Sequence, residues 1–171
     1  LFTFEFFADD VVELAAERFA ANGMRYHTVY DALNDIRNLK IPIRSARRYG
    51  IHVVPGLVYS HSPVHTDAYY VRKAKELMAI GVDGVFIKDP SGLLTPERVA
   101  TLVPALKKAL GDLPLQLHMH CLSGLAPYVA LKAVEHGVDT RGSEFTVRRA
   151  LTLRVEREML MVWAWALRSE L

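Results

Sequence analysis

Residues 77–89 read Leu-Met-Ala-Ile-Gly-Val-Asp-Gly-Val-Phe-Ile-Lys-Asp. A helical stretch ends, the chain turns at Gly81, and a β-prone run follows that stops on two charged residues. The same plan recurs on both sides. Asn22-Gly23 precedes Met24 to Tyr30, Tyr49-Gly50 precedes Ile51 to Tyr59, Leu110-Gly111 leads to Leu115–His120, and His136-Gly137 precedes Val138-Asp139. Each glycine falls where a helix favours a C-terminal residue of positive φ. The intervals from Gly23 onward are 27, 31, 30 and 26 residues, the length of a strand, a helix and two short loops. Helix starts fit the same frame, with Asp9-Asp10 before Val11, Thr66-Asp67 before Ala68 and Thr95-Pro96-Glu97 before Arg98. Pro42, inside a helix expected from Asn34 to Tyr49, predicts a kink or a delayed start. Strands alternating with helices at constant period predict a parallel sheet with crossover helices. The G-x-G-x-x-G fingerprint of a dinucleotide-binding sheet is absent after the first strand. A (β/α)8 barrel takes ~250 residues, whereas the 171 residues here hold five or six such units. The expected fold is therefore α/β, a partial (β/α)8 TIM barrel of about five to six βα units with a divergent C-terminal helical tail.

Composition narrows the function. An apolar fraction of 51% with 23% charged residues supports a packed core and argues against disorder. A net charge of +2 offers no electrostatic reason for nucleic acid. One cysteine, Cys121, cannot build a disulfide framework, which makes a reducing, cytoplasmic setting the expectation. The longest apolar run, Met159 to Leu167, is far shorter than the ~20 residues of a membrane span. The chain opens on Leu1 without a basic start, which reads as a fragment without a signal peptide. Its character changes near Asp139. Residues 141–171 carry six Arg, four Glu and no Lys, with no Gly after Gly142. We expect a barrel segment over 1–140 and a mostly helical tail over 141–171. Because Met159 to Leu167 is apolar all round, such a helix must find a groove or self-associate.

Parallel βα architectures place chemistry at the carboxyl ends of their strands. Those ends are Asp31, Tyr59-Ser60, Lys88-Asp89 and His118-Met119-His120. Two residues apart on one strand, His118 and His120 face the same side and form half of a divalent metal site, unless they are strand-end histidines bonded to neighbours. Lys88 is costly to bury, so it is either paired with a rim carboxylate or functional. A Schiff-base amine, a general base and a carbamylated metal ligand all fit. His61 and His65 in the loop after the second strand are weaker candidates. Asp31 reads equally as a rim acid or a cap, and Cys121 as packing.

Four motifs then align in order. Asp31-Ala-Leu-Asn-Asp, Ser62-Pro-Val-His-Thr-Asp-Ala-Tyr-Tyr, Ile87-Lys-Asp-Pro-Ser-Gly-Leu-Leu-Thr-Pro and Leu117-His-Met-His-Cys-Leu-Ser-Gly-Leu-Ala-Pro resemble biotin-dependent carboxyltransferases of the pyruvate carboxylase, oxaloacetate decarboxylase alpha and transcarboxylase large-barrel type. The resemblance implies a (β/α)8 barrel that moves a carboxyl group between carboxybiotin and pyruvate or oxaloacetate. It implies a divalent metal (Zn, Mn or Co) that polarises the keto acid, and biotin delivered on a carrier domain or protein. His118 and His120 match the family's metal histidines, and Lys88 matches its carbamylated, catalytic lysine ligand. No nucleic acid is implied, and a homo-oligomer stays open.

The chain departs from that pattern in three places. It begins after the strand that would carry the family's remaining metal Asp and a substrate-holding Gln. Thr28 stands where an Arg usually contacts the keto acid carboxylate. Beyond Asp139 the sequence loses the family's Thr-Ala strand end and Gly-rich loop, with Ser143 near the position of the proton-shuttling threonine. An incomplete copy of the enzyme is the leading expectation. An inactive barrel fragment and an acyl-CoA lyase or synthase of the same superfamily are the alternatives.

Overall fold

The computed structural model describes residues 7–139. Helix α1 (Asp9–Ala21) leads to strand β1 (Tyr26–Asp31), a 3-10 turn (Ile36–Leu39) and α2 (Lys40–Arg48). Then follow β2 (His52–Val58), α3 (Asp67–Met78), β3 (Val85–Asp89), α4 (Pro96–Leu110), β4 (Leu115–Met119) and α5 (Ala126–Glu135). The strands pair in parallel in the order β1-β2-β3-β4. This is the α/β alternation that the spacing predicts. The tail expected over 141–171, the boundary near 140 and Ser143 lie outside the described residues.

Parallel crossovers keep one hand, and a strand order without reversal sends every crossover helix to the same face. Strand residues of one parity, Val29, Val53, Leu57, Val85, Ile87, Leu115, Leu117 and Met119, join helix residues in one buried cluster. Helix α4 shows how the sequence forces this. Thr95 caps it by accepting from the Arg98 amide, and Pro96 fills its first turn. Its stripe Val99, Leu102, Val103, Leu106 and Leu110 is fully buried, each side chain contributing ~1.5–3 kcal/mol relative to exposure.

Two helix starts differ from expectation. The stretch expected as one helix from Asn34 to Tyr49 is split, 3-10 to Leu39 and α from Lys40. Pro42 thereby sits in the first turn of α2, where an α-helical amide has no partner to lose. Asp9 and Asp10 do not cap α1 from outside. They lie within its first turn behind Ala8, where their charge favours the positive end of the helix dipole.

The glycine turns behave as the repeat predicts. Gly23, Gly50, Gly81, Gly111 and Gly137 all adopt positive φ, between 61° and 101°. After two of them a second repeated device appears. Asp83, in Gly81-Val-Asp, donates its amide to Val53 O, accepts the Val53 amide at Oδ2 and pairs at Oδ1 with Arg47 of α2. Asp139, in Gly137-Val-Asp, donates its amide to Leu115 O and accepts at Oδ2 from both the Leu115 amide and Lys107 of α4. Each aspartate clamps the amino end of a strand, β2 or β4, to the cation in the last turn of the helix before that strand.

Candidate active site at the carboxyl ends of the strands

The face of the sheet turned away from the core cluster carries Thr28 and Tyr30 on β1, Val54, Gly56 and Val58 on β2, Phe86 and Lys88 on β3, and Gln116 and His118 on β4. Register sets the rows. Gly56 lies opposite Phe86, and Val58 opposite Lys88, which in turn lies opposite His118. The Phe86 ring occupies the space above Gly56, where a Cβ would come within 2.5 Å of the ring.

Lys88 is 8% exposed, with Nζ 4.9 Å from the Tyr30 ring centroid. A cation over an aromatic face recovers part of its lost hydration. The His118 ring lies 5.5 Å from that of His120 and 6.4 Å from that of Phe86. Burial, reinforced by the Lys88 and His120 charges, pulls the His118 imidazole down to about 4. His118 is therefore neutral at pH 7, and among the described residues its buried Nε2 has no hydrogen-bond partner. A neutral imidazole with a buried, uncommitted nitrogen is a metal ligand or proton acceptor in waiting. His120 is held by its backbone, whose amide donates to Asp89 O at 2.9 Å. Lys88, His118 and His120 thus converge on one rim from adjacent strands, as their positions predict. Among the described residues no group of three or more His, Cys, Asp or Glu gathers for a metal. Among those residues, the group that stands beside the two imidazoles is Lys88.

The remaining candidates take structural places. Asp31 caps its own loop, Oδ1 accepting from the Leu33 and Asp35 amides and Oδ2 from Asn38 Nδ2. His65 bonds Ser62 Oγ at 2.7 Å and meets the Tyr69 ring edge-on, while His61 stays exposed. Arg98 of α4 pins this loop through Asp67 and His65 O. Cys121 is half-buried, packed against the core. Thr28 is exposed on β1, opposite Val54.

Three residues shape the rim in ways the sequence did not announce, and of them Asp89 alone was noted, as a strand end. Asn34, at φ 56° and 2% exposed, donates Nδ2 to Val58 O and accepts the Val58 amide at Oδ1. Its side-chain amide continues the pairing of β1 with β2 past Asp31. Asp89, fully buried, accepts from the Leu93 and Leu94 amides. Gly92, at φ 62°, lets the loop after β3 approach His120, since a Cβ there would lie 2.8 Å from His120 O. The signal for all three was present in the Asp-Ala-Leu-Asn and Asp-Pro-Ser-Gly stretches, which carry the turn-forming types.

No family model matches the chain. Among curated proteins it is similar to a pyruvate carboxylase subunit of Methanocaldococcus jannaschii, 43% identical over 133 residues, covering 78% of this chain and 23% of that protein. The methylmalonyl-CoA carboxyltransferase 5S subunit of Propionibacterium freudenreichii is 34% identical over 140 residues, 81% of this chain and 28% of its own length. Among solved structures, the carboxyl transferase domain of Rhizobium etli pyruvate carboxylase superposes with a TM-score of 0.75 at 30% identity, covering 77% of this chain and 23% of that one. The chain spans about a quarter of the length of these two curated relatives.

Proposed function

This chain belongs to the biotin-dependent carboxyltransferases, and on that footing we propose that residues 1–140 are a segment of a (β/α)8 barrel serving metal-dependent carboxyl transfer between carboxybiotin and a 2-keto acid such as pyruvate or oxaloacetate. The observation that carries the reading is His118, which stands in register with Lys88 and whose buried Nε2 has no hydrogen-bond partner among the described residues. That donor set fits a divalent ion, zinc, manganese or cobalt, held by His118, His120 and Lys88. The ion would act as a Lewis acid on the keto acid carbonyl.

The chain's own residues supply the rest. Desolvation keeps His118 in the form that offers a lone pair. The Tyr30 ring orients the Lys88 side chain toward the rim. As an amine Lys88 cannot share a cation with two imidazoles on favourable charge terms. Addition of its neutral nitrogen to carbon dioxide, with loss of one proton, gives a carbamate whose oxygens can. Burial around Val58, Phe86 and Lys88 excludes water from the region where a carboxyl group would otherwise be lost to solvent. Biotin would arrive on a separate carrier domain or protein, and the cytoplasm is the compartment this reading favours. Among the described residues no helix is long and apolar enough to cross a membrane.

The test joins binding and turnover on the full chain. Metal uptake by equilibrium dialysis is measured with and without bicarbonate, together with the 13C carbamate resonance of Lys88. Uptake that rises with bicarbonate, and a resonance lost in Lys88→Met, support the site. Pyruvate-dependent oxaloacetate decarboxylation then reports the chemistry. Uptake indifferent to both His118→Asn and Lys88→Met would sink the metal assignment, and a loaded but inert chain would sink the carboxyl transfer.

A further inference from the structure

We propose that Arg98, on α4, is a positioning residue for Lys88 and acts through the main chain of Tyr59. The inference rests on the reading above, in which Lys88 is a working group of the rim. Lys88 stands on the sheet face turned away from the core cluster, so the helix layer acts on it through the backbone. The Tyr59 amide offers that route, donating to Lys88 O at 2.7 Å one residue past the end of β2. The Tyr59 side chain turns the other way, into the helix layer. Its ring is buried, stacked on that of Tyr70 at 5.8 Å, and the Arg98 guanidinium carbon lies 5.9 Å from its centroid.

Arg98 gathers several elements around that ring. Its Nη1 donates to Asp67, the first residue of α3, and its Nη2 to His65 O at 3.3 Å, in the loop after β2. Its own helix is fixed to the end of β3, because Asp89 accepts the Leu93 and Leu94 amides directly before the Thr95 cap. Arg98 therefore ties the exit of β3 to the exit of β2, and the bond from Tyr59 to Lys88 joins the same two strands. A planar guanidinium bonds acceptors at its edge and an aromatic ring through its face, a combination that a lysine ammonium does not reproduce. Arg47 supplies the contrast. It pairs with Asp83, which accepts the Val53 amide at the amino end of the same strand.

Site-resolved amide hydrogen exchange on the full, metal-free chain is the test. In Arg98→Met the Tyr59 amide should exchange about tenfold faster while Val53 keeps its rate, because local opening and global unfolding have separate free energies. Arg47→Met should do the reverse. The Lys88 carbonyl 13C resonance should move in Arg98→Met and in Tyr59→Leu, and stay in Tyr59→Phe, which keeps the ring. Arg98→Lys should restore neither signal. Should Arg98→Met fail to fold, Asp67→Asn loosens the guanidinium without removing it and should give the same pattern at smaller amplitude. Equal acceleration of Tyr59 and Val53, an unmoved Lys88 carbonyl, or full rescue by lysine overturns the proposal. Bicarbonate-dependent metal uptake is measured beside it, and half-saturation several-fold higher in Arg98→Met supports the proposal, whereas unchanged uptake overturns it. A parent chain that takes up no metal refutes the carboxyl-transfer reading, and the exchange pattern still decides for or against Arg98.

Discussion

Replacing Asn34 with alanine should cost more than its place in a loop suggests. The side chain supplies both hydrogen bonds that the Val58 peptide makes toward β1, at 2.9 and 2.7 Å. Truncation strands a buried N–H, and a buried donor without a partner costs ~1–3 kcal/mol. The Val58 carbonyl fares better, because the Tyr70 hydroxyl also donates to it at 3.4 Å, so its loss belongs at the lower end of that range. Alanine must in addition hold a φ of 56°, at ~1–2 kcal/mol for an ordinary residue. The expected total is about 4 kcal/mol, a large part of the ~5–15 kcal/mol that holds a domain together. Asn34→Gly separates the two causes, since glycine accepts the backbone angle without restoring the amide. Urea unfolding of both variants is the assay, with glycine recovering only about 1 kcal/mol. Val58 lies in register with Lys88, so the Asn34→Gly chain should also show changed Lys88 and His118 resonances. If glycine recovers the whole loss, or both variants unfold like the parent, the amide is not what completes the rim.

Gly92→Ala should destabilise by ~2–4 kcal/mol through its positive φ and the crowding of His120 O, with shifted His120 resonances. A normal His120 spectrum would refute the close approach. For His118 the sign follows from its depressed value. The folded chain resists protonation down to about 4, while the unfolded imidazole takes a proton below 6.5. Its contribution to stability is therefore complete above pH 6.5 and falls away as pH drops toward 4. Urea midpoints across that window should slope less in His118→Gln, and an unchanged slope would count against the buried neutral imidazole. Without added carbon dioxide, purified chain should bind zinc, manganese or cobalt weakly, because the described residues gather no third carboxylate or imidazole. Tight stoichiometric binding in isothermal titration would contradict that.

Much of this was legible in advance because its cause is local. The glycines that end helices need a positive φ wherever they stand, so their spacing exposed the βα period before any contact was known. Parity did the same for His118 and His120, since residues two apart on a strand face one way. Lys88 stood out at its strand end and the resemblance chose among its possible roles, but its alignment with His118 depends on strand register that spacing alone does not set. What escaped depends on contacts between distant segments. Asn34 reads as a turn residue until Val58, 24 positions away, is placed beside it. Gly92 reads as a turn glycine until His120 approaches. Pro42 announced an irregularity, but only packing of Ile36 and Leu39 into the core decides that a 3-10 turn absorbs it.

The paired clamps at Asp83 and Asp139 bear on how the chain acquires its shape as it is made. Each ties a strand to a residue only 30 or 24 positions further on, and each draws in a cation from the helix before that strand, Arg47 or Lys107. A strand and the helix before it can therefore lock as soon as the next Gly-Val-Asp has left the ribosome, without waiting for the rest of the sheet. Short-range closures of this kind make folding fast and vectorial. They also shorten the time during which the newest strand presents an unpaired edge to other chains. Because both clamps act at the amino ends of the strands, that safeguard stays intact while the opposite rim changes its side chains for chemistry.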